Sequence, residues 1–98
     1  MAVVAVFETP NLTQQLYEET VRRLTNGAKS RMESASDWPV PGLVAHVAGQ
    51  GKNCFRVVDV WESEDAFRRF GDLIMPILKD LGLDLQPDIY PPLAVVTR

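Results

Sequence analysis

Three side chains on two neighbouring apolar segments carry most of the chemistry legible in this chain of 98 residues: His46, Asp59 and Trp61. In the run Phe55 to Glu62, the residues Phe55, Val57, Asp59 and Trp61 alternate with Arg56, Val58, Val60 and Glu62, so each set lies on one side of a strand. Both sets are largely apolar, which predicts a strand covered on both faces. A carboxylate on a covered face needs a partner, and His46, the sole imidazole, lies in the apolar segment just before. A carboxylate beside an imidazole favours the protonated ring, and such a pair suits the movement of a proton on and off a phenolic substrate. His46 and Asp59 are therefore the candidate catalytic residues. Trp61 offers a face on which an aromatic ring stacks, and Trp38, Tyr17 and Tyr90 are the other candidate substrate-binding walls. The competing reading makes His46 and Asp59 a satisfied structural pair, Trp61 a core filler and Trp38 a plug over a core edge.

Whether these side chains meet depends on the elements that carry them. Ala2 to Glu8 reads as a first strand, stopped by Thr9-Pro10-Asn11. Asn11 or Thr13 caps a helix with Leu12, Leu16, Thr20, Val21 and Leu24 on one stripe, and Asn26-Gly27 ends it. Tyr17 falls towards its exposed side. Residues 28 to 41 have no period and read as a loop holding Trp38. Gly42 to Gly49 is a second strand, and Asn53 to Glu62 a third. A turn at Gly49-Gln50-Gly51-Lys52 pairs Ala48 with Asn53 and His46 with Phe55, which puts His46 on the face of Asp59 and Trp61. A slip of one residue would put it with Arg56 and Val58 instead.

Ser63 caps a second helix with Glu64 and Asp65 in its first turn, and Phe67, Phe70, Ile74, Leu78 and Leu81 form its apolar stripe. Pro76 predicts a kink or a break near Met75, and Gly82 a stop. Ile89 to Thr97 reads as a last strand, confined to an edge by Pro91-Pro92.

Composition narrows the function. With 46% apolar and 23% charged residues, the chain is ordinary globular material, expected to form one domain over residues 1–98. A net charge of -3 without a basic stripe argues against nucleic acid. One cysteine and one histidine offer neither an internal disulfide nor an ordinary zinc site, so no metal or cofactor is expected. No stretch approaches the roughly 20 apolar residues of a membrane span, and Met1 to Phe7 lacks a basic leader. A soluble cytoplasmic protein is the expectation.

The order strand-helix-strand-strand-helix-strand predicts an α+β, ferredoxin-like βαββαβ fold: an antiparallel sheet with two helices on one face. The other face is also apolar, and a second copy of the chain would cover it, so a homodimer is predicted.

Gly42-Leu43-Val44-Ala45-His46-Val47-Ala48-Gly49, followed by the segment Arg56 to Phe70, resembles the dimeric α/β-barrel superfamily, close to its antibiotic-biosynthesis-monooxygenase type. The resemblance spans most of the chain. It implies two sheets facing one another in a dimeric barrel, with a cleft in each subunit between the sheet and its helices. It also implies a cofactor-independent, monooxygenase-like enzyme of secondary metabolism acting on an aromatic or polyketide-type molecule, with Trp61 in the place of a cavity-lining sheet tryptophan. A polyketide cyclase or isomerase, and a non-catalytic ligand-binding dimer module, are the alternatives.

Overall fold

The computed structural model describes residues 1–98. The elements are β1 (Val3–Glu8), α1 (Gln14–Leu24), a 3-10 turn (Ala35–Asp37), β2 (Leu43–Gln50), β3 (Phe55–Trp61), α2 (Glu64–Asp80) and β4 (Asp88–Tyr90). The four strands form one antiparallel sheet in the order β2-β3-β1-β4. This is the ferredoxin-like arrangement that the element order predicts.

Register explains which residues share a side. Val3, Ala5 and Phe7 of β1 pair with Trp61, Asp59 and Val57 of β3. These residues form the inner face, and the core joins them to Leu12, Phe70, Ile74 and Leu78 of the helical layer. The other face carries Val4 and Val6, Val58 and Val60, and Ala45 and Val47. Val47 is 66% exposed there.

Both helices begin and end as their sequences dictate. The Thr13 side chain accepts from the Leu16 amide at 3.1 Å, and the Ser63 hydroxyl accepts from the Ala66 amide at 3.1 Å, each satisfying a donor of the first turn. Gly27 N–H donates to Arg22 O at 2.7 Å, and Leu83 N–H donates to Leu78 O at 2.9 Å. Asn26 and Gly27, and then Gly82, supply the positive φ that these closures require. The chain beyond α2 then folds back, burying Leu83 and Leu85. No helix is long and apolar enough to cross a membrane.

Three local expectations are corrected. The β2–β3 hairpin turns through Gly51 to Cys54, with Gln50 paired to Phe55. His46 therefore pairs with Asp59 instead of Phe55. The shift is an even number of residues, so His46 keeps the same face. Helix α2 runs through Pro76 as one element, without the break into two helices near Met75. The carbonyl that loses its bond belongs to Asp72, four residues earlier, on the exposed side where water can satisfy it. The last strand is Asp88–Tyr90 only. Pro91 and Pro92 have no amide to donate, and the chain leaves the sheet with Leu93 and Val96 exposed.

Candidate active site

His46 and Asp59 are register partners on β2 and β3 and point to the helix side of the sheet. An irregularity between Leu43 and Ala45 brings Leu43 opposite Trp61, so Leu43 and His46 share a face despite their odd spacing. His46 Nδ1 lies 2.6 Å from Asp59 Oδ1, and His46 Nε2 lies 2.9 Å from the Tyr17 hydroxyl. Asp59 is only 2% exposed, and a carboxyl group so buried needs a hydrogen-bond donor beside it. The consistent assignment is Nδ1–H donating to Asp59, which leaves Nε2 to accept the Tyr17 O–H. The three residues thus form one hydrogen-bonded line from the buried sheet towards the surface.

Tyr17 reaches this line because positions 17, 20, 21 and 24 of α1 lie on one helical stripe. Burial raises its pKa above the usual 10.0. A backbone hydrogen bond at Met32 and the Arg31 charge oppose that rise, while the Asp59 and Glu18 charges add to it. Tyr17 is therefore a neutral hydrogen-bond donor across the physiological range.

The segment from 28 to 41 is organised around Asp37. Its carboxylate accepts from the Glu33 amide at 2.8 Å and the Ser34 amide at 3.1 Å. Those bonds, the Glu33 amide foremost, hold the Asp37 pKa below the ordinary carboxylate value, with Lys29 adding its charge. Arg31 Nε donates to Glu18 at 3.3 Å and ties the segment to α1. Trp38 follows directly, is 8% exposed, and meets the His46 ring edge-on with centroids 4.6 Å apart. It closes the core edge and touches the imidazole together.

Two hollows meet at this line. Inside is a narrow cavity of about 50 Å³ whose fifteen lining residues include twelve hydrophobic ones, with Tyr17, Met32, Trp38, His46 and Asp59 on its wall. Outside is an open groove of about 520 Å³ lined by Gln14, Arg31, Gln50 and Phe55 as well as Tyr17, Met32 and His46. Tyr17, Met32 and His46 belong to both walls.

Four of the six candidate residues therefore lie together: His46, Asp59, Tyr17 and Trp38. Two lie elsewhere. Trp61 is fully buried against α2, stacked on Phe70 at 4.9 Å, and is absent from both walls. Alternation puts it on the face of Asp59, but two residues along a strand carry it under a different part of the helix layer. Tyr90 sits on β4, at the opposite edge of the sheet from β2, and pairs with Val4 of the outer face. Met32, Arg31 and Phe55 had no motif to mark them; only Phe55, two positions from Val57 on the same alternating set, carried a usable signal.

No protein-family model matches the chain, and no curated protein matches it by sequence. Solved structures do. SnoaB, a cofactor-independent oxygenase from Streptomyces nogalater, is similar over 99% of this chain and 96% of its own at 16% identity and a TM-score of 0.55. A single-substitution variant of SnoaB gives 18% identity and 0.58 over the same shares. A candidate monooxygenase from Shewanella loihica PV-4 is similar over 96% of both chains at 18% identity and a TM-score of 0.52. The chain shares the α+β fold of these proteins.

Proposed function

We propose that the protein is a small enzyme that oxidises a phenolic or enolic aromatic molecule of polyketide type with dioxygen and without a cofactor. The observation that carries this reading is the line Asp59–His46–Tyr17, standing between an open groove and a narrow apolar cavity. The likeness to SnoaB supports it.

Several open grooves on the surface have the volume of a small-molecule site, typically about 300–1,000 Å³, and this one is set apart by having Tyr17 and His46 in its wall. A substrate hydroxyl placed against Tyr17 gives its proton to the Tyr17 oxygen as Tyr17 passes its own to His46 Nε2. Asp59 holds the resulting imidazolium, as an acceptor already in place before the charge forms. The substrate anion then has its electron pair on a ring carbon. That carbon bonds to dioxygen, the distal oxygen takes up a proton, and loss of water leaves a carbonyl. A CH₂ and O₂ become a C=O and H₂O, with four electrons passing from carbon to oxygen. The protein contributes position and the proton path.

The same relay moves protons and nothing else, which favours an isomerase or cyclase as the second reading. Oxygen uptake with a panel of polycyclic phenols in metal-free buffer separates them. Uptake that falls at least 100-fold in His46→Gln supports the first reading; ring closure or isomerisation without uptake supports the second. Turnover unchanged in His46→Gln removes the relay from either.

The working unit in this proposal is one domain over residues 1–98, paired with a second copy through the outer valine face. Val58 and Val60 of β3 and Val47 of β2 are on the side away from both helices, where a self-complementary contact between two sheets would remove them from water.

A further inference from the structure

The cavity behind His46 is too small for the substrate proposed above. An apolar cavity of about 150 Å³ admits a benzene ring, and this one has about 50 Å³. Its lining is overwhelmingly hydrophobic, with Val21, Ile74 and Leu78 among the apolar side chains. Most of its polar side-chain atoms are already engaged: Thr20 donates to Leu16 O at 2.8 Å, and Tyr17, His46 and Asp59 Oδ1 bond to one another, while Asp59 Oδ2 has no such bond. A water needs two to four polar partners to settle in such a place. A small apolar molecule needs none.

We infer that this chamber is a binding site for dioxygen, separate from the groove that takes the organic substrate. The assignment rests on the oxygenase reading for its purpose, but the site itself is a property of the fold. Tyr17, Met32 and His46 line both hollows, so oxygen held inside reaches a ring held outside by passing between these side chains. The two reactants approach these side chains from opposite sides, and neither must displace the other. An apolar chamber also concentrates an apolar gas from water by the same transfer free energy that buries a methyl group.

The test needs no turnover. Methyl resonances of the wild-type protein recorded under dioxygen pressure report the gas directly through paramagnetic relaxation. The methyls of Val21, Ile74 and Leu78 are expected to relax several-fold faster than those of Leu83, which at 3% exposure is as buried as Leu78 and lies outside the lining. Equal relaxation at all four overturns the proposal, as does an ordered water in the chamber that persists under the gas. Ile74→Phe, which fills the space, should abolish the difference. In an active preparation it should raise the KM for oxygen at least fivefold and leave the KM for the organic substrate unchanged; an unchanged KM for oxygen also overturns the assignment. Absence of oxygen uptake with every phenol would defeat the oxygenase reading alone, because the relaxation measurement stands without it.

Discussion

His46 Nδ1 and Asp59 Oδ1 lie 2.6 Å apart across paired positions of β2 and β3, with the carboxylate side chain 3% exposed and the imidazole 13%. The pair is both a candidate relay and a structural commitment. Removing His46 alone leaves a buried carboxylate without its donor, which costs about 3–5 kcal/mol in such settings, whereas replacing both partners by apolar groups is often neutral. His46→Ala should therefore be strongly destabilised, and His46→Leu/Asp59→Leu should recover most of that loss. Urea unfolding of the two single variants and the double variant closes the cycle. Additive losses would show that the two side chains do not depend on one another. The same reasoning makes His46→Gln, which keeps an N–H for Asp59, the better variant for assays of turnover.

Tyr17 gives the site an alkaline signature. Its folded-state pKa is raised above 10.0, chiefly by burial. The folded protein therefore holds this proton more tightly than the unfolded chain. That preference is intact below pH 10 and is lost as pH rises through the folded value. Urea midpoints measured from pH 9 to 11 should fall more steeply for the wild type than for Tyr17→Phe, and parallel curves would contradict the assignment.

Trp61 and Trp38 should separate cleanly in assays. The indole of Trp61 is fully buried, and its Nε1–H has no partner. Trp61→Phe leaves a void, but deleting an unbonded buried donor offsets part of the cost, so a net loss of about 1 kcal/mol is expected. Turnover should persist, since Trp61 lies on neither hollow. Trp38→Ala opens the cavity edge beside His46 and should lower turnover at least tenfold. Equal effects of the two variants on turnover would refute this division.

These residues also show what a sequence can disclose. Alternation along Phe55 to Trp61 and the Ser63 cap were enough to place β3, α2 and the face of Asp59, because they are local regularities with periods of two and 3.6. The pairing of His46 with Asp59 depends on where the hairpin turns. Gly49-Gln50-Gly51-Lys52 and Gly51 to Cys54 are turns of equal length, and only assembly against β1 and the helices selects the second. The hydrogen bond from Tyr17 joins residues 29 positions apart. It needs α1 laid across the sheet at one angle, and no periodicity within either segment encodes that angle.

Two glycines predict opposite outcomes. Gly42 has φ +110, its carbonyl accepts from Glu62 N–H at 2.8 Å, and an added Cβ would meet the Ala66 Cβ at 2.6 Å. Gly42→Ala should therefore destabilise by more than about 2 kcal/mol, through strain and displacement of the start of α2. Gly71 lies inside α2, and a Cβ there meets nothing within 4 Å. Gly71→Ala should stabilise by about 0.5–1 kcal/mol. Thermal melts of both variants check the contrast, and a stabilised Gly42→Ala would mean that the approach of β2 to α2 is looser than described.

The outer sheet face supplies the last prediction. Val58 and Val60 lie on the side of β3 away from the helices, and Val47 beside them is 66% exposed. Pairing two such faces would remove contiguous apolar surface that a monomer leaves in water. Light scattering should give about twice the 11.0 kDa chain mass. Val58→Glu would place a carboxylate in the middle of that contact and should return the protein to a monomer, because charge on both sides of a twofold interface meets itself. The relay is built within one chain, from β2, β3 and α1. The monomeric variant should therefore keep the Tyr17 alkaline transition, and its loss on dissociation would mean that the second copy shapes the site.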